Sequence, residues 1–166
     1  MYKSLLAIGM AIPCLSFSQQ FQQSFGSAGF DIIKDVVQLE DQSYVTFGIT
    51  SGESGAKGII SQVDGLGNLI SSRALELMNG TELNEIKINE AGNAFFVGAA
   101  TSDQAGNSEI LYGELTLEGD VLWSKGLPNI GFDVAYGLTL TANGGFALGA
   151  MSSSYSAAGD LNPIVV

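Results

Sequence analysis

Six carboxylates, Asp31, Asp35, Asp41, Asp64, Glu118 and Asp133, are the side chains of this sequence with the most direct chemical potential. Two acids held roughly 5–9.5 Å apart can hydrolyse a glycoside, one as acid and the other as base or nucleophile. A structural role competes with that reading. Asp31 and Asp133 each follow a Gly-Phe pair, 102 residues apart, and a catalytic pair is normally asymmetric. Recurrence favours Asx-type bonds to backbone N–H groups at turns, so no catalytic residue is assigned. The absence of His also removes a Ser-His-Asp triad and every His-ligated metal site.

Calcium is the second chemistry to weigh, because oxygen ligands abound. Asp64-Gly65-Leu66-Gly67-Asn68 offers oxygens at its first and fifth places, but no D-x-D-x-D-G loop follows. No metal and no cofactor are assigned. Trp123, with Tyr112, Tyr136 and Tyr155, would make a sugar-stacking surface if the four converged. A Trp near the end of a strand is more often packed between sheets, and that reading is preferred. The stretches Gly52–Gly58, Ser102–Ser108 and Ser152–Asp160 are rich in Gly, Ser and Ala. None contains G-x-x-x-x-G-K or precedes a helix, so they read as exposed loops and not phosphate cradles. Asn79-Gly80-Thr81 fits a glycosylation sequon, yet the bacterial look of the N-terminus makes it a plain turn.

Those residues sit in a chain of 166 with 22 Gly, 3 Pro, 1 Cys and 46% apolar residues. Apolar content that high opposes disorder, and the length is that of one ordinary domain. A formal charge of −11 disfavours nucleic acid, whose phosphates need a basic stripe.

The N-terminus reads as an export signal covering residues 1–18. Lys3 supplies the positive region, Leu5–Leu15 the apolar run, and Ser16-Phe17-Ser18 the small residues before cleavage. The apolar run is interrupted by Pro13 and shorter than the ~18 residues of a membrane span. Cys14 as a lipidated residue is disfavoured by the Pro13 before it. The expectation is a secreted or cell-surface protein, with no membrane insertion once the signal is removed. Cys14 leaves with the signal, so packing and strand ladders must hold the remainder, residues 19–166.

That remainder carries a period near fifty. Asp41–Gly48 is matched by Ala91–Gly98 and again by Asn143–Ala150. Gly67-Asn68-Leu69-Ile70 is matched by Gly119-Asp120-Val121-Leu122, and Gly29-Phe30-Asp31 by Gly131-Phe132-Asp133. The middle copy of this last landmark is Asn79-Gly80-Thr81, without the Asp. Repeats are assigned to about 29–78, 79–130 and 131–166, the last truncated. Turn pairs punctuate apolar runs, which predicts strands near 32–39, 44–50, 58–63, 69–75, 83–88, 94–100, 110–117, 121–125, 134–141, 145–151 and 164–166. Phe95-Phe96-Val97 is apolar on both strand faces, as in a sheet covered on each side. No window keeps a 3.6-residue apolar period over three turns without a Gly, so no helix is expected. Four antiparallel strands per fifty residues fit the blade of a β-propeller.

At these residues the chain resembles a repeat of secreted and surface proteins from Bacteroidetes-like bacteria, loosely G-x-D-x-A-x-x-I-x-x-T-x-D-G-G-Y-x-x-x-G-x-T-x-S and later L-D-x-x-G-N-x-x-W-x-K. Gly29, Asp31, Val36, Asp41, Tyr44, Gly48, Thr50 and Ser51 fit its first part. Val63–Asn68 fits the later turn, and Gly119, Trp123 and Lys125 its second copy. Ala150 stands where the pattern has Gly. The resemblance spans about residues 21–166 and implies an all-β, propeller-type fold and cargo of the type IX secretion route. Its motifs are turn and packing residues, which specify fold more than function.

Phe21-Gln22-Gln23 aligns with Trp123-Ser124-Lys125 at the same offset of 102. Residues 21–25 are therefore expected to be a closure strand, the chain being the front of a longer propeller. The other expectation is an open stack of three repeats that self-associates through unpaired strand edges. The functional expectation is a non-catalytic interaction module for adhesion or glycan contact, its partner an unidentified protein or carbohydrate. A propeller-type hydrolase, or the repeat region of a longer secreted hydrolase, is the alternative.

Overall fold

A computed structural model describes residues 21–26, 28–52, 55–101, 106–128, 130–155 and 159–166. The export signal, with Cys14, lies outside the described residues. Among them are eleven strands and no helix. These are β1 (Phe30–Gln38), β2 (Tyr44–Gly52), β3 (Gly55–Val63), β4 (Leu69–Ala74), β5 (Glu82–Ile88), β6 (Ala94–Thr101), β7 (Ser108–Leu115), β8 (Val121–Leu127), β9 (Asp133–Leu140), β10 (Phe146–Ser152) and β11 (Asn162–Val165). Their ends fall within three residues of the strands expected from the sequence. The largest extension is at Gly55–Lys57, which was expected as exposed loop. It joins β3 because Gly52 pairs with Gly55, and a backbone ladder needs no apolar side chain.

The strands form three antiparallel sheets with orders β1-β2-β3-β4, β5-β6-β7-β8 and β11-β10-β9. Each first strand carries one extra residue: Lys34 between Ile33 and Asp35, Asn84 between Leu83 and Glu85, and Tyr136 between Ala135 and Gly137. Such β-bulges bend a strand and re-aim its neighbours. Opposite the first two bulges a glycine is required. A Cβ on Gly48 would fall on the Ile32 carbonyl oxygen, and one on Gly98 would fall on that of Glu82.

One turn recurs five times, at 39–43, 64–68, 89–93, 116–120 and 141–145. In each, the first residue's N–H donates to the fifth residue's carbonyl, and the fourth residue's N–H donates to the first's carbonyl. The fourth residue has positive φ: Gln42, Gly67, Gly92, Gly119 and Gly144. This is a hairpin turn whose left-handed position normally takes Gly, and Gln42 is the exception, with φ 70°. All five turns lie at one rim of the sheets, because Tyr44 pairs with both Gln38 and Val63 and the later sheets run likewise. The connections after β2, β6 and β10 lie at the other rim.

Two apolar cores separate the sheets. Between the first and second lie Val45, Phe47, Ile60 and Leu75, facing Leu83, Ile86, Phe96, Leu111 and Leu115. Between the second and third lie Phe95, Val97 and Ile110, facing Ala135, Leu138 and Leu148. Alternate residues of β6 enter opposite cores, so seven of its eight positions are buried. That explains why Phe95-Phe96-Val97 lacks polar alternation. Each buried Leu, Ile or Phe contributes ~1.5–3 kcal/mol.

Residues 21–26 belong to no strand among the described residues. Their backbone makes no ladder with the described residues. Only Phe25 is partly covered, and Phe21 rests edge-on against Tyr44, with ring centroids 5.6 Å apart.

Candidate functional site

The six candidate carboxylates do not converge. Asp41, Asp64 and Glu118 occupy turns at one rim, whereas Asp31 and Asp133 begin β1 and β9 at the other. The seven steps from Asp31 to Gln38 span roughly 23 Å at ~3.3 Å per residue, so an acid of one rim is beyond glycosidase-pair reach of an acid of the other. Asp35 lies between the rims.

Most of these groups already have structural work. Asp35 Oδ1 accepts from its neighbour Val36 N–H at 2.8 Å, and Oδ2 accepts from Ile86 N–H in the second sheet at 3.0 Å. Glu85, at the corresponding bulge, does the same for Leu138 N–H in the third sheet. Asn84 Nδ2 donates to the Ala135 carbonyl at 2.9 Å. The bulges of the first two sheets thus turn a side chain onto the backbone of the next sheet. Asp41 Oδ1 accepts from Ser43 Oγ at 2.6 Å and Ser43 N at 3.0 Å, and these bonds lower its pKa.

Asp64 uses both oxygens. Oδ1 accepts from Leu66 N and Asn68 N at 2.8 Å, and Oδ2 from Asn68 Nδ2 at 2.9 Å. The Asn68 side chain and then its backbone N–H hold this carboxyl below its usual value. Three of the roughly four acceptor sites of this carboxylate are thus taken by the turn itself. Among the described residues, no group of three or more acidic or cysteine side chains gathers in a metal-holding arrangement.

Asp133 is fully buried and accepts from Ser154 Oγ at 2.6 Å. Its bond goes to a side-chain hydroxyl, not to a turn backbone as the Asx reading expects. Ser108 Oγ accepts from Asp133 N and donates to its carbonyl, both at 3.0 Å. Together they fasten the start of β9 to the start of β7 and to the segment after β10. The place corresponding to Asp133 in the second sheet is taken by Thr81, also fully buried, whose hydroxyl donates to the Met78 carbonyl. Asn79-Gly80-Thr81 is thereby a turn, with Gly80 at φ 60°.

The aromatic residues divide. Trp123 and Tyr112 pack with Phe95 and Phe146 between the second and third sheets, at ring-centroid distances of 5.1–6.2 Å. Tyr136 stands on the β9 bulge and Tyr155 beyond β10, both more than half exposed. The four do not form one stacking surface. Trp123 Nε1 donates to Glu114 Oε2 at 2.9 Å, while Asn89 and Asn93 donate to Oε1 at 2.9 and 3.0 Å. Burial pushes the Glu114 carboxyl up, and the bonds from Asn93, Trp123 and Asn89 more than offset it, leaving the pKa lowered. Sequence reasoning missed Glu114. The only signal for it was an acid alternating with apolar residues in β7, beside the Asn-rich turn at 89–93.

Above this cluster lies a cleft of about 530 Å³ between the turns at 89–93 and 141–145. Phe95 and Leu140 line its apolar part, and Asn89, Glu90, Thr141 and Asn143 its polar part. Asn89 is committed, since Oδ1 accepts from Ala91 N and Asn93 N and Nδ2 serves Glu114. Glu90, Ala91 and Asn143 are exposed at the mouth. An apolar base with amide, hydroxyl and carboxylate groups around it suits a neutral polyhydroxylated ligand held by stacking and hydrogen bonds. The loop stretches noted in the sequence, Gly52–Gly58, Ser102–Ser108 and Ser152–Asp160, each fall partly outside the described residues. Among the described residues no helix is long and apolar enough to cross a membrane. The chain matches no known protein family, and a search of curated proteins finds no match to it.

Proposed function

We propose that the chain is a secreted or cell-surface, non-catalytic interaction module of β-propeller type. We place its glycan contact at the cleft between the turns at 89–93 and 141–145. The propeller reading draws support from the arrangement of the sheets. Their first strands, β1, β5 and β9, are successive neighbours, as when sheets radiate from an axis. The bulges and turns recur at 50–52-residue steps.

The observation that carries the functional reading is the contrast between the cleft and the carboxylates. The cleft combines an apolar base with a polar mouth. The acids are scattered over two rims and a bulge, and Asp35, Asp41 and Asp64 are tied by hydrogen bonds. A hydrolase needs two acids facing one bond, so this distribution weighs against the enzymatic alternative.

The test is an NMR titration with neutral oligosaccharides chosen by a glycan array. Ala142→Trp, which fills the cleft, should abolish binding. Glu90→Ala should weaken it by about tenfold, the loss of one charged hydrogen bond. Binding by neither array nor titration, or release of reducing sugar from the bound glycan, would overturn the reading.

A further inference from the structure

The third sheet has three strands where the others have four, and β11 forms its edge among the described residues. Residues 21–25 supply an unpaired segment with the right relation to complete such a sheet. Trp123 of β8 stacks on Phe146 of the following sheet, with centroids 6.2 Å apart. Phe21 and Tyr44, each 102 residues earlier, make the corresponding contact at 5.6 Å. Phe21, Gln23 and Phe25 line one concavity with Val36, Tyr44 and Gly67 on the open face of the first sheet. Residues 21–25 therefore stand to the first sheet as β8 stands to the third, yet no sheet among the described residues claims them.

The two open faces fit one another in kind. On the first sheet, Ile33 and Val36 hold the places that Leu83 and Ile86 hold in the first core, and both are exposed. On the third, Val165 holds the place of Ile60 and is 82% exposed. Tyr136, Leu161 and Pro163 flank it in an apolar concavity. The polar ties match as well. Asp35 and Glu85 each reach the next sheet's backbone, but Gly137 at the third bulge has no carboxylate to offer. The N–H it would have served, that of Val36, is already satisfied by Asp35 Oδ1 at 2.8 Å. One end lacks the group that the other end does not need.

We propose that a second copy of this chain docks its first sheet on the open face of the third, its residues 21–25 adding beside β11 as the fourth strand. The register follows from β7 and β8, where Lys125 faces Tyr112 and Leu127 faces Ile110. It sets Gln23 of one copy opposite Val165 of the other, and Phe25 opposite Pro163. Repeating the contact about a two-fold axis covers the open faces of both copies at once. The pairing stands on ring contacts and register, not on any ligand. A dimer that binds no glycan, or a monomer that does, would separate it from the function proposed above.

The test is sedimentation velocity on the purified protein, expressed as the full chain and processed by its host, with a variant deleted for residues 21–25. The expected result is a dimer whose dissociation constant rises more than about tenfold on deletion, with far-UV circular dichroism showing that the variant keeps its strands. The pair Gln23→Cys and Val165→Cys should form a covalent dimer on oxidation, and the shifted pair Gln22→Cys and Val165→Cys should not. A monomer, a dimer indifferent to the deletion, a cross-link within one chain, or equal cross-linking in both registers would each overturn the proposal.

Discussion

The two cores are built from different chemistry although the middle sheet contributes to both. Toward the first sheet it presents mainly aliphatic side chains, with the Phe47–Phe96 pair, at 6.0 Å, as the aromatic contact. Toward the third it presents Phe95, Tyr112 and Trp123, which meet Phe146 in a continuous aromatic group. Aliphatic packing is non-directional and depends on filled volume. The aromatic core is directional, because Trp123 must keep its indole N–H on Glu114 while its face meets Phe146. The comparison teaches that one sheet can anchor two neighbours by different means, and that the polar constraint falls beneath the candidate cleft.

The strongest way to break the comparison is Phe96→Ala. Phe96 is 1% exposed in the aliphatic core, so the loss should be about 3–5 kcal/mol, read by urea unfolding. Trp123 is the sole tryptophan and sits in the other core. Its emission and far-UV circular dichroism should shift together if the cores unfold cooperatively, and separately if they do not. Gly98→Ala comes next, at about 1–3 kcal/mol, because its Cβ would strike the Glu82 carbonyl.

Glu114→Ala should cost about 1–2 kcal/mol and should move Trp123 emission more than the circular dichroism signal, since it frees one indole bond. Acid adds a graded test. Asp41, Asp64 and Glu114 have lowered pKa values, so their contribution is present above the ordinary carboxylate pKa. It is lost as pH falls through the lowered values. Thermal scans from neutral pH to strong acid should show that decline, and Glu114→Ala should flatten part of it. The smallest effect is Gln42→Gly. Relieving a left-handed non-glycine residue should stabilise by about 0.5–1 kcal/mol, detectable as a small rise in unfolding midpoint.

Strands and turns were legible because their signals are local. Asp64-Gly65, Asn143-Gly144 and the apolar runs between them carry the hairpins in a few consecutive residues. Gln42 hid the identity of the first turn with the other four, since the residue expected there is Gly. The roles of Asp35, Glu85 and Glu114 were not legible. Each acts across 9 to 53 residues of sequence, and an isolated acid in a strand carries no mark of which backbone it will meet. Trp123 was read as packed between sheets, and it is so placed. The sequence makes Asp133 a turn former, whereas its carboxylate accepts from the Ser154 hydroxyl at the start of β9. The carboxylates could not be sorted by rim until strand direction was known.

The shared turn has a consequence for how this molecule can change. Its backbone depends on the first, fourth and fifth residues, leaving the tips to vary: Glu40-Asp41, Gly65-Leu66, Glu90-Ala91, Leu117-Glu118 and Ala142-Asn143. Acidic, amide and aliphatic tips already ride on one geometry, side by side along a single rim. Selection, natural or in a display library, can therefore rewrite the chemistry of that edge tip by tip while the scaffold beneath stays as it is.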